Sequence, residues 1–278
     1  MMEFVYKNWD DFCKKLRGIG IQGTTAFDVH KNKALDKYVV LKHDVETKVQ
    51  NAYEIAKIEN KYGHKSSFYV QAYLLDSKKN IALLKKIQLM GHEVSYHHDV
   101  MDSCKGDLGL AIDEFNGNVK KFENLDFKVI TVCQHGNPII ERSGYTSNRD
   151  FFRSSAVQNL YPNMADIMVD FKEKANTDYQ YISDAGRKFN IIYDPINNDI
   201  INSDDKNIAI NSFDGLLDYA AKKNSIISIH PHRWVKYTAM YKLQGVIFSL
   251  IRAVAKAASK IPLLNKIMGK YYYLSKKL

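Results

Sequence analysis

The chain has 278 residues, of which 45% are hydrophobic and 26% charged, a composition typical of a soluble globular protein with a sizeable core. The net charge is +9, and the segment Arg233–Leu278 alone contains ten Lys and Arg residues and no Asp or Glu. The first 232 residues therefore carry +9 − 10 = −1, which excludes a generally basic, nucleic-acid-binding body.

Three cysteines, Cys13, Cys104 and Cys133, are widely spaced and odd in number. This argues against a disulfide framework and indicates a reducing compartment. The N-terminal sequence MMEFVYKNWDDF has no apolar signal core, and no apolar run is long enough to span a membrane. We therefore expect a cytoplasmic protein.

Helix-like and strand-like periodicities alternate along the chain. The predicted helices cover Trp9–Leu16, Thr47–Tyr62, Ile81–Met90, Leu108–Phe122 and Phe213–Lys223. The predicted strands cover 38–42, Ser67–Val70, His92–Tyr96, Lys128–Cys133, Tyr179–Asp184 and Ser225–Ile229. Gly63 and Gly91 stand where C-cap glycines are expected. Such alternation predicts βαβ units, an α/β fold and a parallel sheet.

Titratable side chains stand at the carboxyl ends of several predicted strands, namely Glu46, His97, His135, Asp184 and His230. In parallel α/β folds ligands bind outside these strand ends. Within Lys42–Glu46, the side chains of Asp44 and Glu46 project to one side of an extended segment, and His43 projects to the other. The pattern predicts a metal or acid–base site, although taken alone this stretch is equally typical of a strand end that reaches solvent.

Three segments resemble the motifs of one family, in order and in position relative to the strands. They are His43-Asp44-Val45-Glu46, Gly91-His92-Glu93-Val94-Ser95-Tyr96-His97 and Ile229-His230-Pro231. The family is the polysaccharide deacetylases (NodB homology, carbohydrate esterase family 4), and the chain is most similar to a His-Asp-Val-Asp branch associated with surface-polysaccharide biosynthesis. The resemblance covers roughly residues 38–234. It implies a distorted (β/α) barrel of about seven strands over residues 1–238.

The resemblance also implies a set of site residues. Asp44 matches the catalytic base, and His230 matches the histidine that protonates the leaving nitrogen. Glu46 and His97 match metal ligands, with Zn²⁺ the expected ion. Met101 occupies the position of the usual second histidine, and a thioether suits such a site poorly. His135, at the end of the next strand, is the expected replacement; His43 and His92 are expected to be structural.

Three further residues are candidates for substrate binding. Asn137 lies in the loop Gln134–Pro138, which replaces an Arg-Pro loop of the family and whose amides could face an oxyanion. Asp184 would orient His230 or bind sugar hydroxyls, or it is simply a turn residue at a strand end. Trp234 would stack on a sugar ring, although simple packing is the favoured interpretation of this residue.

The expected function is that of a metal-dependent hydrolase, which removes an acetyl or similar acyl group from an amino sugar or glycan intermediate of surface-polysaccharide biosynthesis. The expected partner is the acylated sugar. Two alternatives remain open. One is a metal-independent hydrolase of cyclic amides with the same fold. The other is a catalytically inactive glycan-binding or scaffold protein.

Residues 239–278 are predicted to form a basic helical tail, separate from the barrel. Leu243, Val246, Ile247, Leu250, Ile251 and Val254 make an apolar stripe at three- and four-residue spacing. A basic amphipathic helix can lie on an anionic membrane, here the inner face of the cell membrane. The alternative is that the stripe packs on the barrel and the lysines form its solvated face.

Overall fold

The computed structural model describes residues 2–32, 37–137, 140–201 and 204–247. Its strands are β1 (Gly23–Thr24), β2 (Val39–Val45), β3 (Ser67–Val70), β4 (Glu93–His98), β5 (Thr131–Gln134), β6 (Ala165–Asp166), β7 (Gln180–Ser183), β8 (Phe189–Ile192), β9 (Ile208–Ile210) and β10 (Ser225–Ile229). Its helices are α1 (Tyr6–Gly18), α2 (Ala26–Lys31), α3 (Val49–Lys61), α4 (Lys78–Leu89), α5 (Val100–Ser103), α6 (Leu108–Glu123), α7 (Asp150–Arg153), α8 (Ser155–Leu160), α9 (Phe171–Lys174), α10 (Phe213–Lys222) and α11, over 238–247.

The strands form one mostly parallel sheet in the order β6-β5-β4-β3-β2-β10-β7-β8-β9, with β1 paired to the start of β2. Every pairing from β6 to β7 is parallel, and β8 and β9 add an antiparallel extension. The α/β class and the parallel sheet predicted from the sequence are therefore confirmed. In register, Val45 lies beside Val70 and Val70 beside Tyr96, so the carboxyl ends of neighbouring strands meet at one edge.

Alternation along β2 divides its side chains between two cores. Val39, Leu41 and Val45 belong to the first core, which the longer helices cover. Val40 belongs to the second core, on the other face of the sheet. The second core takes one or more side chains from each of β2, β3, β5, β6, β7 and β10, namely Val40, Tyr69, Cys133, Ala165, Tyr181 and Ile226. Since side chains alternate, Lys42 and Asp44 share the face of Val40.

Glycine ends two of the helices as expected. Gly63 follows α3 with φ of +74°, and Gly91 follows α4 with φ of +87°, a conformation that glycine adopts without a side-chain clash. The predicted strand 38–42 is longer in the structure, where β2 continues to Val45 and includes Asp44. The short strand β6 and the β8–β9 hairpin were not predicted, because segments of two to four residues are too short to show a clear period.

The described part of the predicted tail is α11. Tyr241 is buried and its ring lies 5.9 Å from that of Phe4, which attaches α11 to the first core. Leu243, Val246 and Ile247 are exposed, so within the described residues the apolar stripe does not pack on the body. The remaining stripe residues, Leu250, Ile251 and Val254, lie outside the described residues. In the described ranges no helix has the length and apolarity needed to cross a membrane.

A buried polar cluster on the helix side of β2 explains two of the histidines. The carboxylate of Glu59 accepts a hydrogen bond from Trp9 Nε1 at 3.0 Å, and His43 Nε2 lies 2.9 Å from its Oε1. Ser66 Oγ lies 2.6 Å from Glu59 Oε2 and 2.7 Å from His92 Nδ1. His43 and His92 are therefore structural, as expected. Burial lowers the pKa of His92 to about 4, despite the nearby Glu59 carboxylate.

We expect His92 to make folding stability depend on pH. Its pKa in the folded chain, about 4, is below the ordinary value of 6.5, so the unfolded chain binds the proton more readily between these values. The stabilisation is complete above pH 6.5 and is lost as the pH falls to 4. It amounts to about 3 kcal/mol, because one pKa unit corresponds to about 1.4 kcal/mol. Urea unfolding of the wild type and of His92→Gln at several pH values measures this contribution. If the free energies of unfolding of the two proteins change with pH in parallel, the prediction is contradicted.

Candidate functional site

The side chain of Asp44 is held at the site by a buried lysine. Lys42 Nζ donates to both carboxylate oxygens of Asp44, at 2.5 and 2.6 Å, and to Ser228 Oγ at 3.2 Å. Burial would raise the pKa of Asp44, but the Lys42 charge and the neighbouring histidines lower it to about 2. Asp44 is therefore a carboxylate at any physiological pH.

Lys42 is 1% exposed, and its ammonium lies 5.7 Å from the ring centres of both Tyr69 and Tyr181. Burial opposes its charge, but Asp44 outweighs that effect and the pKa of Lys42 is well above its usual value. Sequence reasoning missed this residue and treated it as the start of a polar strand end. The two-residue spacing from Asp44 was the available signal, because it places both side chains on one face.

Glu46, His97 and His135 converge at the carboxyl ends of β2, β4 and β5. His135 Nδ1 lies 3.3 Å from Glu46 Oε1 and 3.2 Å from His97 Nε2. One ligand atom from each of the three residues lies within 4.8 Å of the other two. The structure thus brings together the three residues predicted as metal ligands, although they come from separate strands.

The ring of His97 is oriented by a main-chain contact. His97 Nδ1 donates to the carbonyl oxygen of Cys133 at 2.9 Å, which leaves Nε2 unprotonated and directed to His135 and Glu46. Burial lowers the pKa of His97 to about 3, although Asp44 opposes this shift. A neutral imidazole whose other nitrogen donates to a carbonyl is the usual form of a metal-binding histidine.

The donor set fits a zinc ion. Two imidazole nitrogens and one carboxylate form one of the three-ligand sets found in catalytic zinc sites. A second group of possible ligands, Asp44, His97 and Cys133, also lies within 4.8 Å. That group fits less well, because Lys42 already holds both oxygens of Asp44 and burial raises the pKa of the Cys133 thiol well above its usual value. Thiols must lose their proton to bind a metal.

Met101 is a core residue. It lies on α5, is 4% exposed and belongs to the first core. The loop that contains His135 is held by neighbouring polar side chains instead. Asn148 Nδ2 donates to the carbonyl oxygen of His135 at 2.8 Å and to Asp102 at 2.8 Å, and Arg142 pairs with both oxygens of Asp102.

His230 faces the same site from β10. Its Nε2 lies 3.8 Å from Asp44 Oδ2 and 3.9 Å from Glu46 Oε1. Its Nδ1 lies 2.5 Å from Asp184 Oδ1, and its backbone N–H donates to Asp184 Oδ2 at 3.1 Å. The Asp184 carboxylate therefore fixes the orientation of the ring and leaves Nε2 directed at the site.

The structure corrects two of the substrate-binding assignments. Asp184 is buried, and its carboxylate is occupied by His230, Arg233 and Trp234, so it orients His230 and does not reach sugar hydroxyls. Trp234 is also buried, with its ring stacked on Phe4 at 4.9 Å, and it cannot stack on a substrate. The third candidate, Asn137, is 3% exposed, and its carbonyl oxygen accepts from Arg142 at 2.8 Å.

His232 was given no role from the sequence, yet it belongs to the surroundings of Glu46. Its ring centre lies 5.9 Å from that of His230, and burial lowers its pKa to about 4 while the Glu46 carboxylate opposes the shift. In turn, burial opposes the charge of Glu46, but His135, His230 and His232 hold its pKa well below the usual value. Because these three imidazoles lower its pKa, the Glu46 carboxylate remains ionised and available as a ligand.

No protein-family model matches this chain, and neither a curated protein nor a solved structure matches it.

Proposed function

We propose that this chain is a zinc-dependent hydrolase that removes an acetyl or similar acyl group from the nitrogen of an amino sugar. The convergence of Glu46, His97 and His135 beside Asp44 and His230 carries the proposal. It brings a three-ligand metal set, a carboxylate and an oriented imidazole to one edge of the sheet. Amide hydrolysis requires a group that activates water and one that protonates the leaving nitrogen.

Zinc held by Glu46, His97 and His135 would lower the pKa of a water molecule and polarise the acyl carbonyl. Asp44 accepts the proton of the attacking water, since each of its oxygens keeps a second lone pair beside the Lys42 hydrogen bond. His230 donates a proton from Nε2 to the departing sugar nitrogen. Asp184 holds the ring of His230 in this orientation by its contact with Nδ1.

The barrel architecture forms part of the same proposal. In the described residues, seven parallel strands follow the order β6-β5-β4-β3-β2-β10-β7, so β10, the last described strand, pairs with β2, the first long one. Tyr179 Oη, before β7, donates to the carbonyl oxygen of Ile167, after β6, at 3.0 Å. The second core also takes side chains from strands at both ends of this order. These observations favour a sheet that curls around the second core as a barrel of about seven parallel strands.

Acetate release from N-acetylglucosamine oligomers tests the function. We expect release by the zinc-loaded chain, loss of release after dipicolinate treatment and recovery on adding zinc. Release that survives complete removal of metal would instead support a metal-independent hydrolase. Absence of both stoichiometric metal binding and acetate release would support a glycan-binding or scaffold protein.

The C-terminal segment is proposed to bind an anionic membrane surface on the cytoplasmic side. Met240, Leu243, Val246 and Ile247 present exposed apolar side chains on α11. The sequence from Arg233 onward adds ten basic residues and no acidic ones. Apolar insertion and attraction to anionic lipids act together in such segments.

We expect the full chain to co-sediment with liposomes that contain phosphatidylglycerol and to remain soluble with phosphatidylcholine liposomes. Leu243→Ser/Val246→Ser removes apolar area from an exposed face and is expected to weaken sedimentation without lowering the melting temperature. Lys79→Met, an exposed change on α4, serves as the control variant. Equal sedimentation of the wild type and the double variant would contradict the membrane proposal.

A further inference from the structure

A cleft that contains several carboxylate and amide side chains lies beside the proposed catalytic site. It has a volume of about 350 Å³ and lies between the segment that follows β3 and the segment from β4 to α6. Gln71, Tyr73 and Asp76 line it on the first side, and Asp99, Glu114 and Asn118 line it on the second. We refer to it as the Gln71 cleft.

Two residues connect the Gln71 cleft to the catalytic site. The hydroxyl of Tyr73 donates to the main-chain carbonyl of Glu46, one of the proposed metal ligands. Asp99 follows His97 by two residues, directly after the end of β4. Tyr73 and Asp99 therefore place the cleft next to the catalytic site.

The cleft contains polar groups that the protein itself leaves unpaired. Gln71 is 2% exposed, and in the described residues its Nε2 has no hydrogen-bond partner. A buried amide without a partner costs free energy, which a bound acceptor recovers. In the same described ranges, no hydrogen bond or ion pair involves the carboxylate of Asp99. These two groups offer a donor and an acceptor to a ligand.

The charge of the cleft narrows the class of ligand. Asp76, Asp99 and Glu114 contribute three carboxylates, against the single ammonium of Lys121, which lies 3.9 Å from Asp76. An anion is therefore repelled. Sugar hydroxyls both donate to carboxylates and accept from amides, and Tyr73 adds a half-exposed ring.

We infer that the Gln71 cleft binds the sugar ring adjacent to the acylated one and selects neutral sugars over uronates. This inference rests on the proposed hydrolase function, because it identifies the cleft as part of the same substrate site. It assigns hydrogen bonding of ring hydroxyls to Gln71 and Asp99. It assigns the rejection of acidic sugars to the carboxylates of Asp99 and Glu114.

Calorimetric titration of the zinc-treated full chain tests the inference with two disaccharides. One is N,N′-diacetylchitobiose, and the other is the hyaluronan disaccharide, in which glucuronate replaces one N-acetylglucosamine. We expect the neutral disaccharide to bind at least about tenfold more tightly, since repulsion of one carboxylate corresponds to a free-energy difference of this order. Asp99→Asn and Gln71→Leu are each expected to weaken chitobiose binding by about tenfold.

The preference between the two disaccharides shows whether Asp99 binds the ligand or only stabilises the fold. Asp99→Asn removes a negative charge and should narrow the preference for the neutral disaccharide, whereas a loss of folded protein would reduce the binding of both equally. Asp218→Asn, an exposed change on α10, is the matched control and should bind both as the wild type does. Wild-type affinities in both Asp99→Asn and Gln71→Leu, or no saturable binding of chitobiose, would overturn the inference.

Zinc content measured on the same samples separates the two proposals. Bound zinc together with chitobiose affinity that is indifferent to Asp99 and Gln71 would overturn the cleft and leave the proposed function intact. Affinity that depends on Asp99 and Gln71 in a chain that binds no zinc would retain the cleft and overturn the zinc-dependent hydrolase.

Discussion

Replacing His135 with alanine is expected to abolish stoichiometric zinc binding and to reduce acetate release by about a thousandfold or more. The physical reason is that His135 is the only group that bridges Glu46 and His97 within the described ligand set, with contacts of 3.3 and 3.2 Å. Loss of one of three ligands removes a contribution of several kcal/mol to the stabilisation of charge in the reaction. Metal analysis after gel filtration, together with the acetate assay, measures both effects.

Met101→Leu is the matched control for His135→Ala. Met101 packs in the first core, and leucine has a similar volume, so zinc content and activity should remain those of the wild type. Wild-type zinc content in His135→Ala would show that the ligand set is wrong. A loss of zinc in Met101→Leu would show that the thioether takes part in the site after all.

Replacing Lys42 with methionine is expected to lower the free energy of unfolding by about 3–5 kcal/mol and to abolish acetate release. The variant leaves the Asp44 carboxylate in a buried position without the ammonium that holds both of its oxygens. Removing one partner of a buried ion pair has this cost because the other charge stays buried without its main counter-charge. Urea unfolding at pH 7.5 measures the change.

The double variant Lys42→Met/Asp44→Leu tests the cause. With both charges replaced by apolar side chains, most of the lost stability should return, whereas activity should stay absent. Lys79→Met, an exposed lysine-to-methionine change, should alter the free energy of unfolding by less than about 0.5 kcal/mol. If the losses from Lys42→Met and Asp44→Leu simply add in the double variant, the two side chains do not stabilise each other.

The residues proposed as base and as metal ligand come from one strand and its end. Lys42 and Asp44 project from the same face of β2, and Glu46 follows immediately beyond its end. The strand therefore holds the Asp44 carboxylate in a fixed orientation beside Glu46, the carboxylate that we propose as a metal ligand. His43 lies on the opposite face and contacts Glu59 on α3. This contact holds β2 against α3 on the side away from the site.

Local patterns in the sequence were sufficient for the class of fold and for part of the site. Alternation within Lys42–Glu46 placed Asp44 and Glu46 on one side and His43 on the other, because the side-chain period of a strand is two. The strand at Ser225–Ile229 and the helix at Leu108–Phe122 were predicted almost to the residue, since each combines a regular period with clear end signals. The parallel sheet followed from the alternation of such segments.

The tertiary structure alone decided which residues meet. The pairing of β4 with β5 brings His135 into contact with His97. The periodicity within each segment does not predict which strands are neighbours. Burial likewise decided that Trp234 packs in the core and that Asp184 is occupied by His230, because exposure depends on segments distant along the chain. The sequence by itself determined the face on which each strand residue lies, since that depends only on local backbone geometry. The tertiary structure determined the partners, since contacts between strands depend on how the whole chain packs.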